Sequence, residues 1–281
     1  MAILVAALLS ASAAGCIGHS SGEGPTPTTP AAPPGPRSSA TAGYACQAGL
    51  LFQLVPYAAT DPYLPPGYHP RDPQAFLGSP AAFGQAGVLF IAVDCASPAG
   101  RFVAGSLDIF VEHPAVPALP ADFDFYEVER FGDATQLDGV LQDAHWPFAP
   151  GTPRIAVSNG TVERMVDVSP AYRTLFAGVA DPLGTLYEVS ALASADVPLG
   201  PKAVRFWHDD PAGTGAIDYK APLDVKVGPA YATARAGSKL AGFIAAETQG
   251  ASGQGDPIAA AFPAGVPLQV GATWLPGVHA G

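Results

Sequence analysis

The chain has 281 residues, 48% hydrophobic and only 13% charged, with 24 acidic against 13 basic side chains and a formal charge of −11. That balance disfavours attachment to nucleic acid or anionic lipid by charge, and so apolar a composition excludes a chain that is disordered throughout. The 32 glycines and 31 prolines cut the sequence into short apolar runs, the punctuation of a β-rich domain.

The first fifteen residues carry no Asp, Glu, Lys or Arg; the apolar run Ala2-Ile3-Leu4-Val5-Ala6-Ala7-Leu8-Leu9 is followed by small residues up to Gly15. A membrane-spanning helix needs about 20 apolar residues, so residues 1–15 read as a signal peptide. Ala13-Ala14-Gly15-Cys16 resembles the lipobox of lipoproteins, and that resemblance implies acylation of Cys16. It departs from the pattern at Ala13, where Leu is usual, and no basic residue follows Met1. The alternative is cleavage after Ala11-Ser12-Ala13, which leaves a soluble secreted protein with a spare thiol at Cys16. Lipidation is favoured because an exposed unpaired thiol is a liability in an oxidising compartment.

Residues 16–43 hold Gly22-Glu23-Gly24-Pro25-Thr26-Pro27-Thr28-Thr29-Pro30 and Pro33-Pro34-Gly35-Pro36. With almost no large apolar side chains this stretch reads as a disordered, partly extended spacer. Residues 44–281 are long enough for one sizeable core and read as a single globular domain. Cys46 and Cys95 are the cysteines left after Cys16, and an even pair in an exported chain predicts a disulfide.

Strands are expected at residues 49–57 and 87–95, whose flanks carry the two cysteines, then at 106–112 and 125–131. Asn159-Gly160 between residues 154–158 and 161–168 reads as a two-residue hairpin turn. Further strands are expected at 185–193, 202–208 and 230–236. Short helices are expected at 135–144 and at 238–248, the latter capped by Ser238, with a helical turn at 170–177. The fold class is therefore mainly β: an antiparallel barrel or sandwich with a few short helices.

Ala58-Ala59-Thr60-Asp61-Pro62-Tyr63-Leu64-Pro65-Pro66-Gly67-Tyr68, followed by the apolar strand at residues 88–93, resembles the opening of acetoacetate-decarboxylase-like domains. Asp143-Ala144-His145-Trp146-Pro147-Phe148 is similar to the segment around that family's Trp-Gly-aromatic-Pro-Lys motif, and Ser238-Lys239-Leu240 to its C-terminal barrel helix. The resemblance implies a closed β-barrel with an internal cavity. The catalytic lysine of the motif has no counterpart, since Ala149-Pro150-Gly151 follow Phe148, and this puts Schiff-base decarboxylation in doubt.

Candidate site residues are few. His145-Trp146 and Trp207-His208-Asp209-Asp210 could do acid/base work, although neighbours in a strand diverge to opposite faces. Asp122 and Asp124 share a face in an extended run, but without calcium-loop spacing they read as a solvated strand edge. Among the four lysines, Lys202 enters an apolar strand and is the amine to test as a nucleophile. No Gly-x-Ser-x-Gly, phosphate loop or dinucleotide fingerprint occurs, and neither a cofactor nor a metal is implied.

The expected protein is an extracytoplasmic lipoprotein, anchored to the cell membrane through Cys16, with a barrel cavity for a small or lipidic ligand. His145, Trp146, Phe148, Lys202, Trp207, His208 and Tyr219 would form or gate that pocket. The alternatives are an exported acetoacetate-decarboxylase-like enzyme, a lyase or hydratase on keto acids, and a structural or adhesive envelope module.

Overall fold

Residues 87–95 are apolar at nearly every position, a pattern that requires burial on both faces of a strand, and the architecture supplies two separate apolar surfaces for them. The computed structural model describes residues 37–38, 42–73, 85–98, 100–116, 121–132, 148–161, 170–250, 257–262 and 265–279. Its strands lie in one compact unit, Pro34–Gly281. In chain order they are β1 (Arg37–Ser38), β2 (Ala42–Pro56), β3 (Gln85–Ser97), β4 (Gly100–Val111), β5 (Phe123–Gly132), β6 (Thr152–Thr161), β7 (Pro170–Asp181), β8 (Gly184–Ala193), β9 (Ala195–Asp210), β10 (Gly213–Ala234), β11 (Ile258–Ala261) and β12 (Val266–Pro276). One helix of three turns, Lys239–Gly250, lies between β10 and β11.

The sheet runs β12-β2-β3-β4-β5-β9-β10, and a further pairing of β12 with β10 closes these seven strands into a barrel. Closure removes the open edges that an isolated sheet would expose. All neighbours are antiparallel except β5 and β9, which pair in parallel. β10 leaves the barrel at its far end: Ala230–Ala234 pairs with β8, and β8, β7 and β6 continue as a second sheet. β11 fills the gap between β10 and β2 beyond β12.

Alternation then sorts the side chains. On β3, Leu89, Ile91, Val93 and Cys95 face the lumen, while Val88, Phe90 and Ala92 pack outward with Leu175, Val179, Tyr187 and Val189 of the second sheet. Gly49 permits that contact: a Cβ there would stand 2.2 Å from Leu175 Cδ1. The helix adds Leu240 and Phe243 to the same outer layer. Its first turn is capped by Ser238, whose Oγ accepts from the Ala241 N–H at 3.3 Å, as expected. Among the described residues no helix is long and apolar enough to cross a membrane.

The mainly-β barrel matches the expected fold class, and two local readings require correction. Asn159 and Gly160 do not turn: both sit in β6, opposite Arg173 and Tyr172 of β7. A Cβ on Gly160 would collide with the Tyr172 ring at 2.0 Å, so this glycine makes room for a cross-strand aromatic. Residues 170–177 belong to β7 and form no helical turn, because Leu175 and Ala177 alternate into the layer against the barrel. The helix expected at 135–144 lies outside the described residues.

Candidate functional site in the barrel lumen

The lumen holds a cavity of about 280 Å³. Its wall is apolar almost throughout, built from lumen-facing positions such as Leu50 and Phe52 of β2, Leu89 and Ile91 of β3, Phe125 of β5 and Phe206 of β9. Four polar side chains reach it: Ser106, Arg130, Lys202 and Tyr219. Ile258 on the wall is exposed and Lys202 half-buried, so the solvent-reaching side lies by the middle of β9 and the start of β11.

Arg130 enters the lumen through a bulge. Asp108 stands opposite Glu127 and Leu107 opposite Glu129, so Val128 is the extra residue on β5. In a regular strand Glu127 and Arg130 would point to opposite faces; one inserted residue puts both inward. Lys239 at the start of the helix donates from Nζ to the Val128 carbonyl at 2.9 Å, which meets a backbone acceptor that the bulge takes out of the ladder.

Two lumen-facing cross-strand pairs result, Asp108 with Glu127 and Ser106 with Arg130. Arg130 Nε donates to both Glu127 oxygens at 2.9 and 2.7 Å, its Nη2 forms an ion pair with Glu127, and its Nη1 donates to the Tyr219 hydroxyl at 3.4 Å. Burial by itself disfavours the charged guanidinium, but Glu127 outweighs it and holds Arg130 above its ordinary range. Ser106 Oγ donates to Asp108 Oδ2 at 2.7 Å. Asp108 is completely buried, and burial first, then Glu127, pushes its carboxyl well above the usual carboxylate range. Both causes favour the neutral form of the acid beside the ion pair.

The residues expected at the site divide. Lys202 and Tyr219 line the cavity. Lys202 lies 3.5 Å from Asp122 at the exposed rim. His208 shares the face of Val204 and Phe206 on β9; burial lowers its pKa while Glu127, Asp209 and Asp210 partly offset that. His208 does not line the cavity. Neither does Trp207: alternation turns it to the outer layer, where its Nε1 donates to Asp124 at 2.8 Å. Phe148 packs on the cluster formed by Cys46, Cys95, Phe102 and Trp274. Cys46 and Cys95 face each other in register and form the expected disulfide. Cys16, His145 and Trp146 lie outside the described residues.

The acidic run at residues 122–129 also departs from expectation. Asp122 is exposed at the rim, but the rest is no solvated edge, since β5 lies between β4 and β9, and Asp124 and Glu127 are buried against Trp207 and Arg130. Sequence reasoning missed Ser106, Asp108, Glu127 and Arg130. The available signal was charge inside otherwise apolar strands, which needs a buried partner. No group of three or more His, Cys, Asp or Glu placed to hold a metal ion occurs among the described residues.

Comparison with known proteins finds no matching family model and no matching curated protein. Among solved structures, the enduracididine biosynthesis enzyme MppR complexed with pyruvate matches with a TM-score of 0.51 at 12% identity, over 88% of this chain and 91% of that one. An acetoacetate decarboxylase-like enzyme from Sphingomonas wittichii RW1 matches with a TM-score of 0.46 at 11% identity, over 84% and 91%. Acetoacetate decarboxylase from Legionella pneumophila matches with a TM-score of 0.46 at 9% identity, over 83% and 86%. At these identities the likeness to MppR concerns the fold.

Proposed function

We propose that this chain is a membrane-tethered, extracytoplasmic protein that binds a small, mainly apolar molecule in its barrel lumen. The observation carrying this reading is the 280 Å³ cavity, walled by apolar side chains with Ser106, Arg130, Lys202 and Tyr219 as its polar groups. Of those groups, Ser106 is engaged by Asp108 and Arg130 is matched by Glu127. Pockets of this kind are apolar with a few placed polar atoms. Its size suits a compact ligand, since an apolar cavity of about 150 Å³ accommodates benzene. The tether rests on the sequence around Cys16 and the proline-rich spacer that follows.

Displacement of an environment-sensitive dye from the purified chain by small apolar molecules tests the pocket. Saturable displacement is expected, and displacement that survives filling the lumen by Ala260→Phe would refute it. Metabolic labelling with a fatty-acid analogue tests the tether: label is expected on the native chain and lost in Cys16→Ala.

Lys202 supports a second reading. Among the described residues it is the one amine in the lining, and the barrel fold is shared with a protein solved with pyruvate. A lumen amine could form an imine with a keto acid. Borohydride trapping with pyruvate and longer keto acids separates the two, because an adduct on Lys202 is expected only for the enzyme.

A further inference from the structure

The polar part of the lumen is nearly closed on itself. Glu127 engages the Arg130 guanidinium at Nε and Nη2. Ser106 directs its hydroxyl hydrogen to Asp108, and Lys202 sits at the rim by Asp122. Tyr219 differs. Tyr219 lines the cavity and its hydroxyl accepts from Arg130 Nη1, yet the hydroxyl hydrogen has no acceptor among the described residues. The phenol is held in place on its ring side by the Phe206 ring, edge to face at 5.4 Å.

A ligand oxygen at that spot would receive one hydrogen bond and meet no uncompensated positive charge. For a carboxylate this is a poor exchange: it would give up its hydration while the nearby guanidinium already holds Glu127. A carbonyl or ester oxygen gives up much less. Building on the binding function proposed above, we infer that the cavity selects a compact uncharged molecule carrying one hydrogen-bond-accepting oxygen, such as a ketone or ester, in preference to the corresponding carboxylate. The oxygen is received by the Tyr219 hydroxyl, and the apolar body lies along Leu50, Leu89, Ile91 and Phe206.

Calorimetric titration of the full chain at pH 7 with 2-nonanone, octanoate and nonane tests this. The first two have about ten non-hydrogen atoms each, a size such a cavity admits. 2-Nonanone is expected to saturate, with octanoate about 100-fold weaker or worse. Tyr219→Phe should weaken 2-nonanone about fivefold and leave nonane unchanged, as the loss of one neutral hydrogen bond requires. Octanoate binding as tightly as 2-nonanone would overturn this selectivity while leaving the cavity a binding site; binding by none of the three would overturn both. Should Tyr219→Phe fail to fold by circular dichroism, the ratio of ketone to carboxylate on the native chain decides. An unchanged 2-nonanone affinity in a folded Tyr219→Phe chain overturns the role of the phenol.

Discussion

Replacing Asp108 by Asn tests whether the lumen keeps a neutral acid. Asp108 is fully buried, stands opposite Glu127, and has one oxygen, Oδ1, without a hydrogen-bond partner among the described residues. Its folded-state pKa is raised by burial and by Glu127, whereas in the unfolded chain the group titrates near 3.9. A carboxyl raised on folding contributes stability that is fully present below its unfolded value and is lost as pH rises toward the folded one. Across that window each pH unit costs about 1.4 kcal/mol per group. Asn cannot titrate, keeps an oxygen for Ser106, and can turn its amide toward Glu127. The stability of Asp108→Asn relative to the native chain should therefore climb by about 1.4 kcal/mol per pH unit above pH 5, for as long as Asp108 stays protonated in the folded state. Urea denaturation at pH 5, 6 and 7, fitted with one shared slope, measures it. A difference independent of pH would mean that Asp108 carries the same charge folded and unfolded, and the argument for a neutral acid would fail.

The ion pair beside it should behave as a unit. Arg130→Met or Glu127→Met alone should each lose about 3–5 kcal/mol by leaving a buried charge unmatched, and the double substitution should lose less than either; additive losses in denaturant titrations would refute the coupling. Reducing the Cys46–Cys95 bridge, with its sequence separation of 49, should lower stability by roughly 4 kcal/mol in the chain-entropy description, read as a lower urea midpoint in reductant. Gly49→Ala puts a methyl 2.2 Å from Leu175 Cδ1 and should cost about 1–3 kcal/mol. Thermal melts should show Gly49→Ala with Leu175→Ala losing less than the two separately, because the second substitution empties the space the first one needs.

Legibility in the sequence followed how local the cause was. The strand at 87–95 was legible because dense apolar residues leave few alternatives, that at 125–131 from its aromatic and β-branched positions despite three charges, and the disulfide because its cysteines flank strands that pair. The helix after Ser238 was legible from its cap. β12 was not, since Pro267, Gly271 and Pro276 break up Leu268, Val270, Ala272 and Trp274, and their common face exists only once β2 and β10 supply partners on either side. Asn159-Gly160 misled for the complementary reason. The pair has the chemistry of a tight turn, but a glycine also fits wherever a large neighbour occupies the place of its side chain, and Tyr172 does so here. Local chemistry cannot separate those two uses; the register can.

The lumen shows the same division more sharply. Lys202 was legible as an amine entering an apolar strand and Tyr219 as an aromatic with a polar tip, and both line the cavity. Trp207 went to the other side because Phe206 already faced inward. Glu127 and Arg130 were out of reach, because strict alternation assigns residues three apart in a strand to opposite faces. Only the insertion of Val128 brings them together, and the carbonyl it frees is taken by Lys239, 111 residues away in sequence. The family resemblance placed Lys239 at a barrel helix without a role. In this chain the helix acts through the bulge: it holds Val128, Val128 sets the facing of Arg130, and Arg130 orients the phenol of Tyr219. A site assembled through such a sequence of dependent contacts becomes visible when the strand register is known, because no link in it is a motif.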